Sequence, residues 1–543
     1  MSGIAGWIAA PRRAPEAPAL APMLAALAHR GAGGGACEFA SAAGAHGVVL
    51  GACGAPLAQD RGARLALAFD GALDNRDELR RQLEMRGYAF SEGGESRLAA
   101  RGDAELALRA YQHWDKEVAR HLRGQFAFVA WDGRKDRLLA VRDRFGEKPL
   151  YLHERDGTLY FASEVKALLR IPGLAFKVDP AAVKDCVENR YVRGPHTLFT
   201  GIRKLAPASF ALWQFGKLRE FRYWTPPDAA PQVLAGRAAD AVRDYAVQLD
   251  DLVKRQTADG ASGVLLSGGI DSAVLAALAV QHQPKLATFS LGIAGDKKSE
   301  LPQAAAAAKR LGTRHHEIVV SREQLAASLP RAVAARDAPL ALPSDLALHA
   351  LAREAAARGI VTVLTGEGCD EILGGYRRYA AAHMLPGARP LRERLSDDQG
   401  GWLSDNLLER DERLAAAASL AARAPFVDHR LAEYVSALPD ELRVNGLVTK
   451  VILRRAARVV LPEDMPKPRK LGFGVPLEEL LHGELAEPLA DHLNDARSIA
   501  REVCEPKALE RLLAGHRKGK NTHDKLLWTL LNLEIWRRTN APA

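Results

Sequence analysis

Cysteine is scarce in this chain, with five residues in 543, at Cys37, Cys53, Cys186, Cys369 and Cys504. The odd number and wide spacing exclude a disulfide framework and a zinc knuckle, and they point to a reducing compartment. No uncharged apolar run reaches bilayer-spanning length. The start, Met-Ser-Gly-Ile-Ala-Gly-Trp, lacks a basic n-region and a long apolar h-region, so no secretory signal is expected. Long Lys/Arg blocks are missing too. The net charge of +9 is moderate for this length and its basic residues are dispersed, so no nucleic-acid partner is expected. The cluster Arg-Lys-Gly-Lys at 517–520 reads as a solvated loop. A cytoplasmic protein without membrane contacts is expected, and it is too long for one domain.

The two halves differ in texture. In the first, short apolar runs at Leu65–Phe69, Phe126–Trp131, Arg137–Val141 and Leu159–Phe161 alternate with Asp-Gly and Gly-Arg-Lys-Asp turns. This predicts antiparallel sheet with a few helices, of which Arg76–Arg86 and Ala104–His113 are the clearest. A linker is expected over 206–236, where Tyr223–Gly236 turns Pro/Ala-rich. Beyond it strands and helices alternate. The order is strand Val264–Leu266, helix Ser272–Gln281, strand Leu286–Leu291, helix Glu300–Leu311, strand His316–Val320, helix Asp345–Arg358 and strand Ile360–Leu364. Alternation of this kind predicts a doubly wound parallel sheet, with ligands at the carboxyl ends of its strands. From about Arg377 the chain reads as added helices. The last, Lys525–Arg538, carries Leu526, Leu527, Leu530, Leu531 and Trp536 as core rather than as cofactor contacts.

The chemistry starts at Gly263–Ser272. An apolar strand runs into Ser267-Gly268-Gly269-Ile270-Asp271-Ser272, and a helix follows. Backbone N–H groups, two hydroxyls and a helix N-terminus there face one anion. A Ser-Gly-Gly turn alone is common; the full order between strand and helix carries the reading. Asp271 would repel a bare phosphate, so a divalent cation is expected between them, with pyrophosphate in the cradle. After the strand Ile360–Leu364 comes Thr365-Gly366-Glu367-Gly368-Cys369-Asp370-Glu371. Asp370 with Asp271 makes the natural pair for Mg²⁺, and Glu367 is left for base or electrostatic duty. Cys369 reads as a packing residue. Downstream, Lys470 in Pro468-Arg469-Lys470-Leu471-Gly472-Phe473-Gly474 is placed to neutralise developing phosphate charge. His315-His316 is not read as a metal pair, because adjacent strand residues face opposite ways.

With these three pieces together the chain resembles glutamine-dependent asparagine synthetase and its relatives over nearly all its length. The carboxyl half carries Ser-Gly-Gly-Ile-Asp-Ser, Thr-Gly-Glu-Gly-Cys-Asp-Glu, Ala-Pro-Phe-Val-Asp-His-Arg at 424–430 and Lys-Leu-Gly-Phe-Gly-Val-Pro. The amino half is similar to the class II glutaminase domain, through His29-Arg30-Gly31, residues 124–132, Arg142-Asp143-Arg144 and Phe161–Leu168. The resemblance implies an Ntn-type αββα sandwich over 1–205 and an ATP-pyrophosphatase domain over 237–543. It implies that ATP and a carboxylate give an acyl-adenylate and pyrophosphate, and that a nitrogen nucleophile then forms an amide. Ser267, Gly268, Gly269, Asp271 and Ser272 would hold pyrophosphate and metal. Leu266, Leu291, Thr365 and Gly366 would contact adenosine. Glu367 and Lys470 would be catalytic, and Asp370 would bind metal.

The chain departs from that pattern in its amino half. Residue 2 is Ser where the family has a cysteine, and Asp70-Gly71-Ala72 stands where Asn-Gly-Glu is expected. No Arg-Leu-x-Ile-x-Asp lies between Gly51 and Leu67; Asp103 survives from that pocket. A serine hydroxyl is the weaker nucleophile, and an anionic Asp70 opposes an oxyanion. An inactive glutaminase is therefore expected, with ammonia or another amine as the nitrogen donor. Asp337-Ala338-Pro339 replaces the usual Asp-Glu-Pro and puts aspartate in doubt as the acceptor. A small-molecule or peptide carboxylate is expected as substrate, with ATP and Mg²⁺, and a homodimer is compatible with the sequence. Two other readings remain: an amide-forming cyclase similar to β-lactam synthetases or lasso-peptide cyclases, and a non-catalytic scaffold. The retained Asp271, Glu367, Asp370 and Lys470 argue against the scaffold.

Overall fold

Alternation along single strands decides how the amino-terminal sheets stack. In the strand Gly124–Asp132, Phe126, Phe128 and Ala130 enter one apolar cluster, while Ala127, Val129 and Trp131 enter another. A strand buried on both faces lies inside a layered structure. The computed structural model describes residues 1–9, 20–40, 47–55, 57–90, 99–226, 238–296, 298–385, 387–465, 474–519 and 523–540. Its amino-terminal strands are β1 (Gly3–Ala9), β2 (Gly34–Ala40), β3 (Gly47–Cys53), β4 (Ala58–Asp60), β5 (Leu65–Leu73), β6 (Gly124–Asp132), β7 (Arg137–Arg142), β8 (Tyr151–Arg155), β9 (Thr158–Ala162), β10 (Ile202–Lys204), β11 (Ser209–Gln214) and β12 (Lys217–Arg222). They form two six-stranded sheets, ordered β10-β8-β9-β1-β3-β2 and β12-β11-β7-β6-β5-β4. Between the sheets pack Ile4, Ile8, Leu50, Val129, Leu138, Phe161 and Trp213. The helices Arg76–Glu84 and Ala99–Trp114 cover the second sheet, and Leu20–Ala26 and Pro180–Asn189 cover the first. The layers run helix, sheet, sheet, helix.

The stretch 206–236 is not a linker throughout. β11 and β12 form a hairpin whose first strand pairs with β7 from Phe210 opposite Val141 to Gln214 opposite Arg137. Phe210 and Leu212 point to one cluster and Ala211 and Trp213 to the other. The Pro/Ala-rich composition that follows hides this two-residue period in the sequence. Residues 227–237 lie outside the described residues.

The carboxyl-terminal sheet comprises β13 (Ser262–Leu265), β14 (Ala287–Ile293), β15 (Arg314–Val320), β16 (Thr362–Leu364) and β17 (Ala421–Arg423), in the order β15-β14-β13-β16-β17. Every pairing is parallel. Helices Ala238–Thr257, Ile270–His282 and Leu301–Leu311 lie on one face, and Asp345–Ala357 lies on the other. Gly312 and Gly359, both at positive φ, stop two of the crossover helices where the sequence predicts. The strand order turns about β13, and the carboxyl ends of β13 and its parallel neighbour β16 lie side by side at that switch point, where ligands of such sheets bind. The final helix, Asp524–Asn540, buries Leu527, Leu530, Leu531 and Trp536 in a core shared with the amino-terminal half. Among the described residues no helix is long and apolar enough to cross a membrane.

The two halves also meet through buried charge. Arg30 has no exposed surface and contacts Asp70 at 3.1 Å, Glu164 at 2.5 Å and Glu412 from the other half. Arg413 lies 3.0 Å from Glu164, and Lys204 lies 2.9 Å from Glu409. Burial works against the charge on Glu412, but Arg30, Lys148 and Arg413 overcome it and hold the carboxyl down at about 2. Burial likewise opposes ionised Glu164, and Lys166, Arg413 and Arg30 hold it well below the usual range. A depressed folded pKa stabilises above the unfolded value and is lost as pH falls. The contribution of Glu412 should therefore fade between its ordinary 4.5 and about 2. Arg30→Met takes one buried cation from three buried carboxylates, which keep Lys148, Lys166 and Arg413 among them, and should cost about 3 kcal/mol. A lower thermal midpoint at pH 7, with the deficit shrinking under acid, is the expected result. An unchanged midpoint would show that Arg30 does not join the halves.

Candidate active site

The loop after β13 closes on itself before it faces anything else. Ser272 Oγ accepts the Ser267 N–H at 3.0 Å and lies 3.0 Å from Ser267 Oγ, which in turn accepts the Gly269 N–H at 3.2 Å. Ser272 thus shapes the turn from a buried position, while Gly269 caps the helix Ile270–His282. The loop after β16 lies alongside it. A Cβ on Gly366 would come within 3.2 Å of Asp271 Cβ, so a glycine there lets the two loops touch.

Asp271 and Asp370 converge as the sequence suggests, but around a cation that it did not reveal. Lys450 Nζ lies 2.6 Å from Asp271 Oδ2 and 2.8 Å from Asp370 Oδ1. Burial works against the charge on Lys450, and Cys369, Asp271 and Asp370 outweigh it, so the ammonium is held above the ordinary lysine value. A Cβ on Gly375 would fall on the Asp370 carboxylate and the Lys450 stem, so this glycine is what allows them to meet. Cys369 is buried and donates its S–H to Asp271 Oδ1 at 3.2 Å. Burial, with Asp271 beside it, pushes the thiol well up, in keeping with a packing residue. Two carboxylates within 2.8 Å of one nitrogen, beside a loop of backbone N–H groups, are hard oxygen donors that suit Mg²⁺.

Glu367 sits apart from this pair. Arg410 Nη2 donates to Glu367 Oε1 at 2.7 Å and to Asp411 Oδ1 at 2.6 Å, and its Nη1 lies 3.5 Å from Asp345. Burial pushes Glu371 up to about 7, with Glu367 and Asp370 adding to it against a hydrogen bond from Tyr376. A cleft of about 440 Å³ gathers Leu266, Ser267, Leu291, Glu367 and Asp370 from the predicted set, with Arg410, Tyr376 and Trp402 added. Thr365 is buried beside the cleft and bonds to Asp411. Lys470 lies outside the described residues. His315 meets Thr288 at 3.0 Å while His316 stacks on Phe289, so the two rings face different neighbours.

Lys450 and Arg410 escaped the sequence reading for different reasons. Lys450 lies 179 positions from Asp271, at positive φ between a two-strand turn and the helix Val451–Val460, and nothing local marks it. Arg410 belongs to Glu409-Arg410-Asp411-Glu412-Arg413, which looks like a solvated charge run. All five are buried. Charge on every side of one helix was the available signal, since no single solvent face accommodates it.

In the amino-terminal half, Ser2 is buried, donates to Asp70 Oδ1 at 3.1 Å and accepts the Gly71 N–H at 3.2 Å. Asp70 also accepts from Ser163 at 2.9 Å and pairs with Arg30. Ala72 is buried on β5. Asp103, read as a surviving substrate grip, is taken up by Arg76 through Nε and by Nη2 at 2.7 Å. Asp337 accepts the Lys166 N–H at 3.0 Å and so serves the contact between the halves.

Comparison with known proteins agrees with this division. A glutamine amidotransferase domain model matches residues 1–224, and an asparagine synthase model matches residues 244–387 and 382–538. A Mycobacterium tuberculosis protein provisionally named a glutamine-hydrolyzing asparagine synthetase is 31% identical over 568 residues, covering 89% of this chain and 85% of that one. Glutamine-hydrolyzing asparagine synthetase 1 of Bacillus subtilis is 29% identical, with 87% and 85% covered. Asparagine synthetase B of Escherichia coli is 28% identical, with 75% and 69% covered. Matched on both units, the chain belongs to the asparagine synthase family and is a carbon–nitrogen ligase with a glutamine amidotransferase domain at its amino end.

Proposed function

We propose that this ligase uses ATP to adenylate a carboxylic acid, releases pyrophosphate, and passes the acyl group to ammonia or another amine. The observation that carries the reading is the meeting of Asp271, Asp370 and Lys450 beside the Ser267–Ser272 loop, one cleft wall away from Glu367. Asp271 and Asp370 are the groups to hold Mg²⁺, which when bound offsets phosphate charge. Lys450 keeps the two carboxylates together and presents its ammonium to the leaving pyrophosphate. The loop's N–H groups fix the phosphates, and Leu266 and Leu291 supply apolar contact for adenosine. Glu367 is the proton acceptor for the incoming amine, held in place by Arg410. The amidotransferase unit, taken as 1–222 with the hairpin included, acts as a folded partner and does not supply nitrogen from glutamine.

The test is Glu367→Gln. Turnover should fall by about a hundredfold to ten-thousandfold, as for loss of an acid–base group, with the KM for ATP changed little. A variant that weakens ATP alone would make Glu367 a nucleotide contact and remove its base role.

A further inference from the structure

One turn of helix ties the loop that carries Glu367 to the other half of the chain. Every residue of the helix Glu409–Ala416 is buried. Glu409, Glu412 and Arg413 stand at i, i+3 and i+4, so they share a face. That face meets the amidotransferase unit. Tyr151 Oη donates to Glu409 Oε1 at 2.7 Å, and Lys204 Nζ lies 2.9 Å from Glu409 Oε2. Lys148 Nζ lies 3.2 Å from Glu412, which also meets Arg30. Arg413 donates to the Ser163 carbonyl at 2.7 Å and lies 3.0 Å from Glu164.

Arg410 and Asp411 reach the opposite way, into the ligase unit. Arg410 donates to Glu367 at 2.7 Å, and Asp411 bonds to Thr365, two positions earlier on the same loop. The loop after β16 is thus held at two points by neighbouring residues of one turn. Asp345, buried and 3.5 Å from Arg410, holds the guanidinium from a second helix. The Glu367 side chain is itself 31% exposed, so packing does not fix its carboxylate and the bond from Arg410 does. Buried ion pairs add little net stability. What this set fixes is geometry: a hydrogen-bonded turn moves as one piece, so a shift at Glu409 or Glu412 carries Arg410 and Asp411 with it.

We infer that the amidotransferase unit positions the loop of Glu367, with Tyr151 and Lys204 as positioning residues that act through Glu409, Arg410 and Asp411. The amino half then serves the ligase site by its surface and not by its own pocket. The inference rests on the ligase reading for what Glu367 does in turnover, but the positioning claim is separable, because the order of the loop is measured without ATP or acid.

The experiment compares the full chain with Lys204→Met and Tyr151→Phe, neither of which lines the cleft. Tyr151→Phe keeps the ring and loses one bond to Glu409, so it reports even where Lys204→Met fails to fold. Amide hydrogen exchange, read by mass spectrometry on the chain without ligand, should quicken by about tenfold over residues 365–371. Over the ligase helix Leu301–Leu311 it should match the parent. With ATP, Mg²⁺, ammonium and an acid that drives pyrophosphate release in the parent, kcat for the amide should fall by about tenfold to a hundredfold, with the KM for ATP little changed. Exchange over 365–371 that stays as in the parent in the folded variants, or that rises equally over both segments, would overturn the inference. So would a loosened loop with kcat intact. A parent chain that releases no pyrophosphate with any acid would sink the ligase reading, and the exchange pattern would still decide the positioning claim.

Discussion

Asp271→Asn and Asp370→Asn are each expected to abolish pyrophosphate release, a loss of at least about a hundredfold to a thousandfold, while the protein stays folded. Each substitution keeps the shape of the side chain and removes the charge. Both carboxylates are about one-fifth exposed, at 21% and 19%, so neither is needed to close a core. In either variant Lys450 keeps one partner and swings toward it. The arrangement of two acids about one ammonium is then gone, and with it a pair of hard donors for Mg²⁺. Circular dichroism and the thermal midpoint should match the parent. Full activity in either variant, with Mg²⁺ still required, would remove that residue from the metal site.

Glutamine is expected to be inert. The chain given glutamine alone, or glutamine with ATP and its acid, should release no glutamate above background, and ammonium should be needed for product. Ser2 Oγ is buried and engaged with Asp70 and Gly71, and Asp70 is itself gripped by Ser163 and Arg30. The carboxylate bonded to Ser2 Oγ is itself engaged by Ser163 and Arg30, which weakens it as a base for that hydroxyl. An anionic Asp70 opposes the oxyanion of an attacked amide. The carboxylate of Asp103, which would meet a substrate ammonium, is closed off by Arg76. Ser2→Cys should therefore fail to restore hydrolysis, since it changes one element of four. Glutamate release from the parent chain, lost in Ser2→Ala, would contradict this and return the amidotransferase domain to a working role.

Those two results rest on features of unequal visibility. The parallel sheet was legible because its crossover units carry local stops and caps, such as Gly312 and Gly359, and its apolar runs are short and bounded. The turn after β13 was legible because its glycines and hydroxyls lie within six consecutive residues. Asp271 and Asp370 were legible as a pair because both follow strand ends, and adjacent parallel strands bring such ends together. Lys450 was not legible, since its partners come only through the tertiary fold. The buried run Glu409–Arg413 was not legible either, for the opposite reason. Its composition argues for solvent, and only the contact with Arg30, Glu164 and Lys204 makes it interior. The hairpin of β11 and β12 was lost in a proline-rich neighbourhood although its alternation is plain once the strand is bounded. Asp103 was seen as a remnant of a pocket, and its pairing with Arg76 depends on a helix that sequence alone places but does not orient.

The measurement that decides most is the identity of the nucleotide products formed by the full chain with ATP, Mg²⁺, ammonium and an accepted acid. AMP and pyrophosphate should appear in equal amounts with the amide, and both should require the acid. ADP and phosphate formed in step with the amide would contradict adenylation and the roles given to Asp271, Asp370 and Lys450.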